Sequence, residues 1–164
     1  MGDVESVVVE RIKEGIEKTY SIIVEIRDSI ELPVLAFDPF RHQYRSDVLL
    51  DFLEKTRGRN VLAITEKDLY ANGLNFVFGQ ARVKGGIAIV SVCRLRPEFY
   101  NRVPNNELLY ERAVKEAVHE VGHAIFGLMH CPNDKCVMSF SNTVADVDKK
   151  TRNLCRMCKL RAGL

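Results

Sequence analysis

The segment AVHEVGHAIFGLMHC, Ala117 to Cys131, carries three of the chain's four histidines: His119, His123 and His130. In a helix, residues four apart share a face with Cβ atoms about 5–6 Å apart, so His119 and His123 can aim two imidazoles at one metal ion. Glu120 projects beside that pair, where a carboxylate reaches a metal-bound water without ligating the metal. H-E-x-x-H is a zinc-protease arrangement for this reason: zinc lowers the pKa of its water and the glutamate takes the proton. The alternative is a partly buried helix with two incidental histidines. It is disfavoured because Ala113, Val114, Ala117, Val118, Val121, Ala124, Ile125 and Phe126 surround the motif with apolar groups, and polar groups buried there without partners are costly. Gly127 can adopt the left-handed conformation that ends a helix and return His130 to the same metal. Three protein ligands then leave a fourth position for water, as a catalytic zinc requires.

A second group of chemistry-bearing residues starts at once. Cys131 and Cys136 form a C-x4-C pair, Cys155 and Cys158 a C-x2-C pair, and 18 residues lie between the pairs. Four thiolates so arranged fit a closed tetrahedral structural zinc, and a short segment with little core of its own gains a staple from it. The rivals are two disulfides, disfavoured in a reducing compartment, or unbound cysteines. Cys93, alone among apolar residues, reads as a core residue. The expected complement is two Zn2+ per chain, one catalytic and one structural.

The elements that must position these groups follow from periodicity and propensity. Ser6 to Thr19 repeats apolar residues at helical spacing. Ser21 to Arg27 (SIIVEIR) reads as a buried strand, Leu32 to Phe37 as a second short one, and Val61 to Thr65 as a third. Ser46 is placed as the N-cap of a helix reaching about Lys55. Leu74 to Ala81 and Gly86 to Val92, joined by Arg82 to Gly85, read as a hairpin. From Asn106 the pattern is helical through the three-histidine stretch, and Asp146 starts a final helix carrying Cys155 and Cys158. The order predicts a mixed α+β (α/β) fold, one mixed twisted sheet covered by helices, with the chemistry in the C-terminal third. At 164 residues, without a Pro/Gly-rich linker or a repeat, the chain reads as one domain.

Lys plus Arg number 24 against 22 Asp plus Glu, a net charge of +2. No strong basic excess recommends nucleic acid as a partner, and the basic stretch Lys149 to Arg161 reads as a solvated helix face. Nothing approaches a membrane-spanning length, and acidic residues before the first apolar run argue against a signal peptide. Met1-Gly2 with Ser6 fits an acylation pattern formally; the motif is too short to carry weight. A cytoplasmic location with reduced thiols is expected.

The histidine segment resembles the metzincin signature H-E-x-x-H-x-x-G-x-x-H, with three residues rather than two between His123 and Gly127. One extra helical residue adds about 1.5 Å and 100° of rotation. Either a bulge or an altered helix end absorbs it and His130 is the third ligand, which is the preferred reading, or two histidines hold the metal weakly. Aligned without a gap, Met129 takes the ligand position and Phe126 the glycine position; methionine is a poor zinc ligand and Phe with positive φ is strained. Together with the cysteines and Cys136-Val137-Met138, the chain resembles the archaemetzincins, as do RHQYRS (Arg41 to Ser46) and EKDLYANGLNFVFGQA (Glu66 to Ala81). The resemblance implies a metzincin-like catalytic domain spanning 1–164, with residues 1–123 above the cleft and 124–164 below it. It further implies Met138 as the Met-turn residue beneath the zinc, Glu120 as general base and later proton donor to zinc-bound water, and a peptide or protein substrate. The 74–81 strand is the edge to which that substrate would pair by β-augmentation. The non-enzymatic alternative is a binding or regulatory protein held by its cysteine zinc alone.

Overall fold

The computed structural model describes residues 4–164; Met1 and Gly2, on which the acylation pattern falls, lie outside the described residues. Helix α1 (Ser6–Tyr20) forms as expected, burying a stripe of Val8, Ile12, Ile16 and Tyr20 spaced four apart. Then follow β1 (Phe37–Asp38), β2 (Gln43–Arg45), α2 (Ser46–Arg57), β3 (Val61–Thr65), β4 (Leu69–Tyr70), β5 (Gly79–Arg82), β6 (Ile87–Ser91), α3 (Asn106–Ala124), α4 (Val144–Lys149) and α5 (Arg156–Ala162).

The mixed α+β class holds, with the strands divided between two small sheets ordered β1-β2-β4 and β3-β6-β5. β6 is central, parallel to β3 and antiparallel to β5, and all five of its residues are buried, the continuous apolar run of a strand covered on both faces. Ile87 and Ile89 join Leu49, Leu50 and Leu53 of α2 in one core. Val92 joins the other, built from α1, α3 and the segment Cys136 to Met138. The α3 helix is thereby wedged between α1 and the second sheet, with the Cys136 to Met138 segment against it.

Several sequence expectations are corrected. Ser21 to Arg27 is not a strand: Ser21 ends α1 with φ 53°, and among the described residues no strand pairs with the segment. Its Ile22 and Val24 pack on the core while Ile23 is 91 % exposed; β-branched composition supplies propensity, but a ladder partner makes a strand. In Leu32 to Phe37, Pro33 leads into a 3-10 turn over Val34–Ala36, and only Phe37 is strand. Arg45, not Ser46, is the N-cap of α2, because the Ser46 hydroxyl is spent on the Tyr70 carbonyl. The strand placed at 74–81 begins at Gly79. Arg41 and Gln43 side chains donate to the carbonyls of Leu74 and Asn75, and Val77 makes only an isolated bridge to Leu69.

The helix carrying the histidines stops at Ala124, leaving His130 outside it. The single final helix is two. Thr143 opens α4 with a reciprocal capping box to Asp146. The chain then leaves helical geometry at Lys150 and crosses to bond Lys135 and Val137. Cys155 becomes the N-cap of α5, with Cys158 inside it.

Candidate metal centres and active site

Asn105 opens α3 by accepting the Leu108 N–H at 3.0 Å, and His119, Glu120 and His123 are all buried four turns further on. His119 Nδ1 lies 2.9 Å from the Val137 carbonyl and His123 Nδ1 2.5 Å from the Leu128 carbonyl. A carbonyl only accepts, so each Nδ1 carries the hydrogen and, in a neutral ring, each Nε2 carries a lone pair. Those two Nε2 atoms face one another at 3.0 Å. Burial, followed by the charge of Lys150, holds His119 well below the ordinary histidine range; burial does the same, less strongly, for His123. Two buried lone pairs pointed at each other repel unless a cation sits between them, so this donor set fits a metal.

His130 is brought to the same place: one nitrogen from each of the three rings lies within 4.8 Å of the others. The extra residue between His123 and Gly127 is absorbed at the helix end. The Leu128 N–H closes on the Gly122 carbonyl at 3.0 Å, a span of six residues where a Schellman closure spans five. The freed carbonyls of His123 and Ala124 accept the N–H groups of Lys84 and Gly86, from the β5–β6 turn, at 3.0 and 2.9 Å. Gly127 has φ 64° and lies under the Lys84 stem, 2.4 Å from where a Cβ would sit. Phe126 stacks on Tyr20 with centroids 4.3 Å apart, and the Tyr20 hydroxyl donates to the Val118 carbonyl of α3 at 2.8 Å.

Glu120 is held against β5 by a residue that sequence reasoning missed. A Cβ on Gly79 would stand 2.7 Å from Glu120 Cγ and 2.9 Å from the Ile89 carbonyl oxygen, so only glycine lets the carboxylate lie there. Burial, then the nearby Glu116 charge, raises the Glu120 carboxyl well above the usual range, with Lys150 opposing. Gly79→Ala is expected to lower stability by about 1–3 kcal/mol, the usual cost of overpacking, which a melting curve on the variant checks. Gly122 is similarly constrained: Met138 Sδ is 2.5 Å and the Tyr20 hydroxyl 2.7 Å from its missing Cβ. Met138 itself is fully buried directly beneath that glycine. The signal for both glycines was faint, since a lone Gly in a strand or helix pattern marks close approach without saying of what.

The four cysteines meet as well, with sulfur atoms within 4.8 Å of one another. Cys131 and Cys155 sulfurs are 3.8 Å apart, far beyond a disulfide bond of about 2.05 Å and close to the edge of a tetrahedron with metal–sulfur bonds of about 2.3 Å. Backbone N–H donation from Cys158, chiefly, lowers the Cys155 thiol to about 7, which suits a thiolate ligand; burial pushes Cys158 and Cys136 the other way. The Cys155 N–H donates to Cys136 Sγ at 3.3 Å. Cys93, away from this cluster, is raised to about 11 by burial.

A further feature escaped the sequence. One face of α3 is buried yet polar: Arg112, Lys115, Glu116 and His119 recur at helical spacing. Arg112 pairs with Asp148 through two 2.7 Å contacts, Lys115 donates to the Val147 carbonyl at 3.2 Å, and Glu116 meets Lys150 at 2.8 Å. Partners lying over 30 residues away left no local pattern to read.

Comparison with known proteins gives a consistent picture. Residues 31–162 match peptidase family M54. An archaemetzincin of Methanocaldococcus jannaschii is 43 % identical over 158 residues, covering 96 % of this chain and 87 % of its own length. The crystal structure of the Methanopyrus kandleri archaemetzincin superposes with TM-score 0.88 at 42 % identity, covering 99 % of this chain and 89 % of that one. That of the Archaeoglobus fulgidus archaemetzincin, complexed with malonate, gives 0.85 at 40 % identity, with 97 % and 94 % covered.

Proposed function

Because the chain belongs to peptidase family M54, the archaemetzincins, and is a zinc metallopeptidase, we propose that His119, His123 and His130 hold its catalytic zinc and that Glu120 moves the proton in peptide-bond hydrolysis. The facing lone pairs of His119 and His123, 3.0 Å apart, carry this reading. Zinc bound there supplies a Lewis acid and a water of lowered pKa. Glu120 receives a proton on a carboxylate oxygen and returns it to the leaving amine. Val137 and Leu128 carbonyls orient the imidazoles, as outer-shell acceptors do for ligating histidines. Met138 packs as the apolar floor under Gly122.

Cys131, Cys136, Cys155 and Cys158 hold a second, structural zinc, making two per chain. The chain works as one catalytic unit, residues 1–123 above the cleft and 124–164 below, on peptide or protein substrates in the cytoplasm, where thiols stay reduced. An extended substrate pairs with β5, which lies at the edge of its sheet, rather than with the whole of 74–81. Among the described residues no helix is long and apolar enough to cross a membrane.

Metal stoichiometry tests the assignment. Wild type is expected to bind two zinc ions per chain and His130→Ala to bind its histidine-site zinc at least tenfold more weakly. A His130→Ala chain that resists chelation as wild type does would remove His130 from the ligand set.

A further inference from the structure

We infer that Lys150 is a positioning residue for the histidine centre, acting with Glu116 as a buried ionic tether between α3 and the loop beneath it. The inference rests on the assignment of His119 as a zinc ligand.

The Lys150 side chain is 0 % exposed and that of Glu116 4 %, with Nζ 2.8 Å from Oε1. Apart from this ion pair, Glu116 Oε1 has no hydrogen-bond partner. The same ammonium donates to the Ser139 carbonyl at 3.3 Å. Ser139 follows Met138, and Met138 follows Val137, whose carbonyl accepts from His119 Nδ1. Lys150 therefore grips α3 one turn before His119 and grips the loop two residues after the carbonyl that orients His119. Arg112 reaches Asp148 in α4 and the Leu95 carbonyl, and Lys115 the Val147 carbonyl in α4 and Glu111 on its own helix. Only the Lys150 ammonium among these three cations extends to the chain just after Met138.

A buried ion pair is weak evidence for stability, since apolar residues of similar volume often hold a core as well. What this pair adds is register. The loop is bonded to Lys150's own segment through Thr151 N–H to the Lys135 carbonyl and Val137 N–H to the Asn153 carbonyl, at 3.0 and 2.9 Å. Loop and crossing chain form one unit, and the tether sets that unit's height against α3. A shift of the unit carries the Val137 carbonyl away from His119 and Met138 away from Gly122.

The test uses the full chain loaded with zinc and a double variant, Lys150→Met with Glu116→Leu, which removes both charges together. Histidine-site zinc is titrated against a chelator, the ligand-field spectrum of the cobalt-substituted protein is recorded, and kcat and KM are measured beside the melting curve. The double variant is expected to melt near wild type and keep its cysteine-site metal. It should lose histidine-site zinc 10- to 100-fold more readily, the range for outer-shell partners, with an altered cobalt spectrum and a fall in kcat at unchanged KM. Wild-type zinc affinity, spectrum and kcat in that variant would overturn the tether. If the double variant does not fold, Glu116→Gln measured below its melting temperature decides instead, and wild-type zinc affinity there overturns the inference equally. One zinc in the wild-type chain, resistant to His119→Ala, would instead defeat the ligand assignment on which the tether depends.

Discussion

Glu120→Gln is expected to lower kcat by about 10²- to 10⁴-fold, the usual contribution of a positioned general base, while zinc content and melting temperature stay at wild-type values. Glutamine has the size of the residue it replaces, so it fills the space that Gly79 leaves open beside β6, but it cannot take a proton. It also removes one of two buried carboxylates a single helical turn apart, Glu116 and Glu120, so no loss of stability should obscure the kinetics. The loss should fall on kcat with KM little changed, because proton transfer is made in the transition state and not in substrate binding. Metal analysis and single-turnover peptide hydrolysis on the same preparation decide it. A glutamine enzyme turning over at the wild-type rate would take the base role away from Glu120.

Cys158→Ser is expected to have the larger structural effect. A four-cysteine zinc contributes about 10–16 kcal/mol to folding in small zinc modules, comparable to the entire stability of an ordinary domain, about 5–15 kcal/mol. Cys136 and Cys158 are core residues here, in one cluster with Val137 and Met138. Loss of a metal held there is therefore expected to loosen the loop that gives His119 its carbonyl partner. The variant should release both zinc ions, become cleavable by added protease between 131 and 164, and lose hydrolysis. Cys93→Ser, outside the cluster, should do none of these. Unchanged zinc content and an unchanged proteolysis pattern in Cys158→Ser would leave the cluster without a structural role.

Both predictions concern residues visible in the linear chain, and the reason is local. His119, Glu120 and His123 belong to one helix whose 3.6-residue turn brings them to one side, and Cys155 and Cys158 share one helical start. The pairing of β5 with β6 was legible in part, through the glycine-containing turn and the apolar run of β6, while the apolar residues of Leu74 to Phe78 lie before β5. SIIVEIR failed as a strand because strand formation depends on a neighbour that composition cannot supply. The single C-terminal helix failed because Lys150 leaves helical geometry at the point where its side chain meets Glu116, 34 residues earlier in the chain.

By itself the sequence determined which groups could do chemistry: three histidines, a glutamate and four cysteines at spacings that helices and short turns convert into ligand sets. Tertiary structure decided what spacing leaves open. It absorbed the additional residue before Gly127 by borrowing the β5–β6 turn to cap α3, and so brought His130 to within 4.8 Å of its partners. It also placed Gly79 against Glu120 and Lys150 against Glu116. Such contacts join positions far apart in the chain, and their geometry comes from packing and from pairing buried charges, not from any periodicity along the backbone.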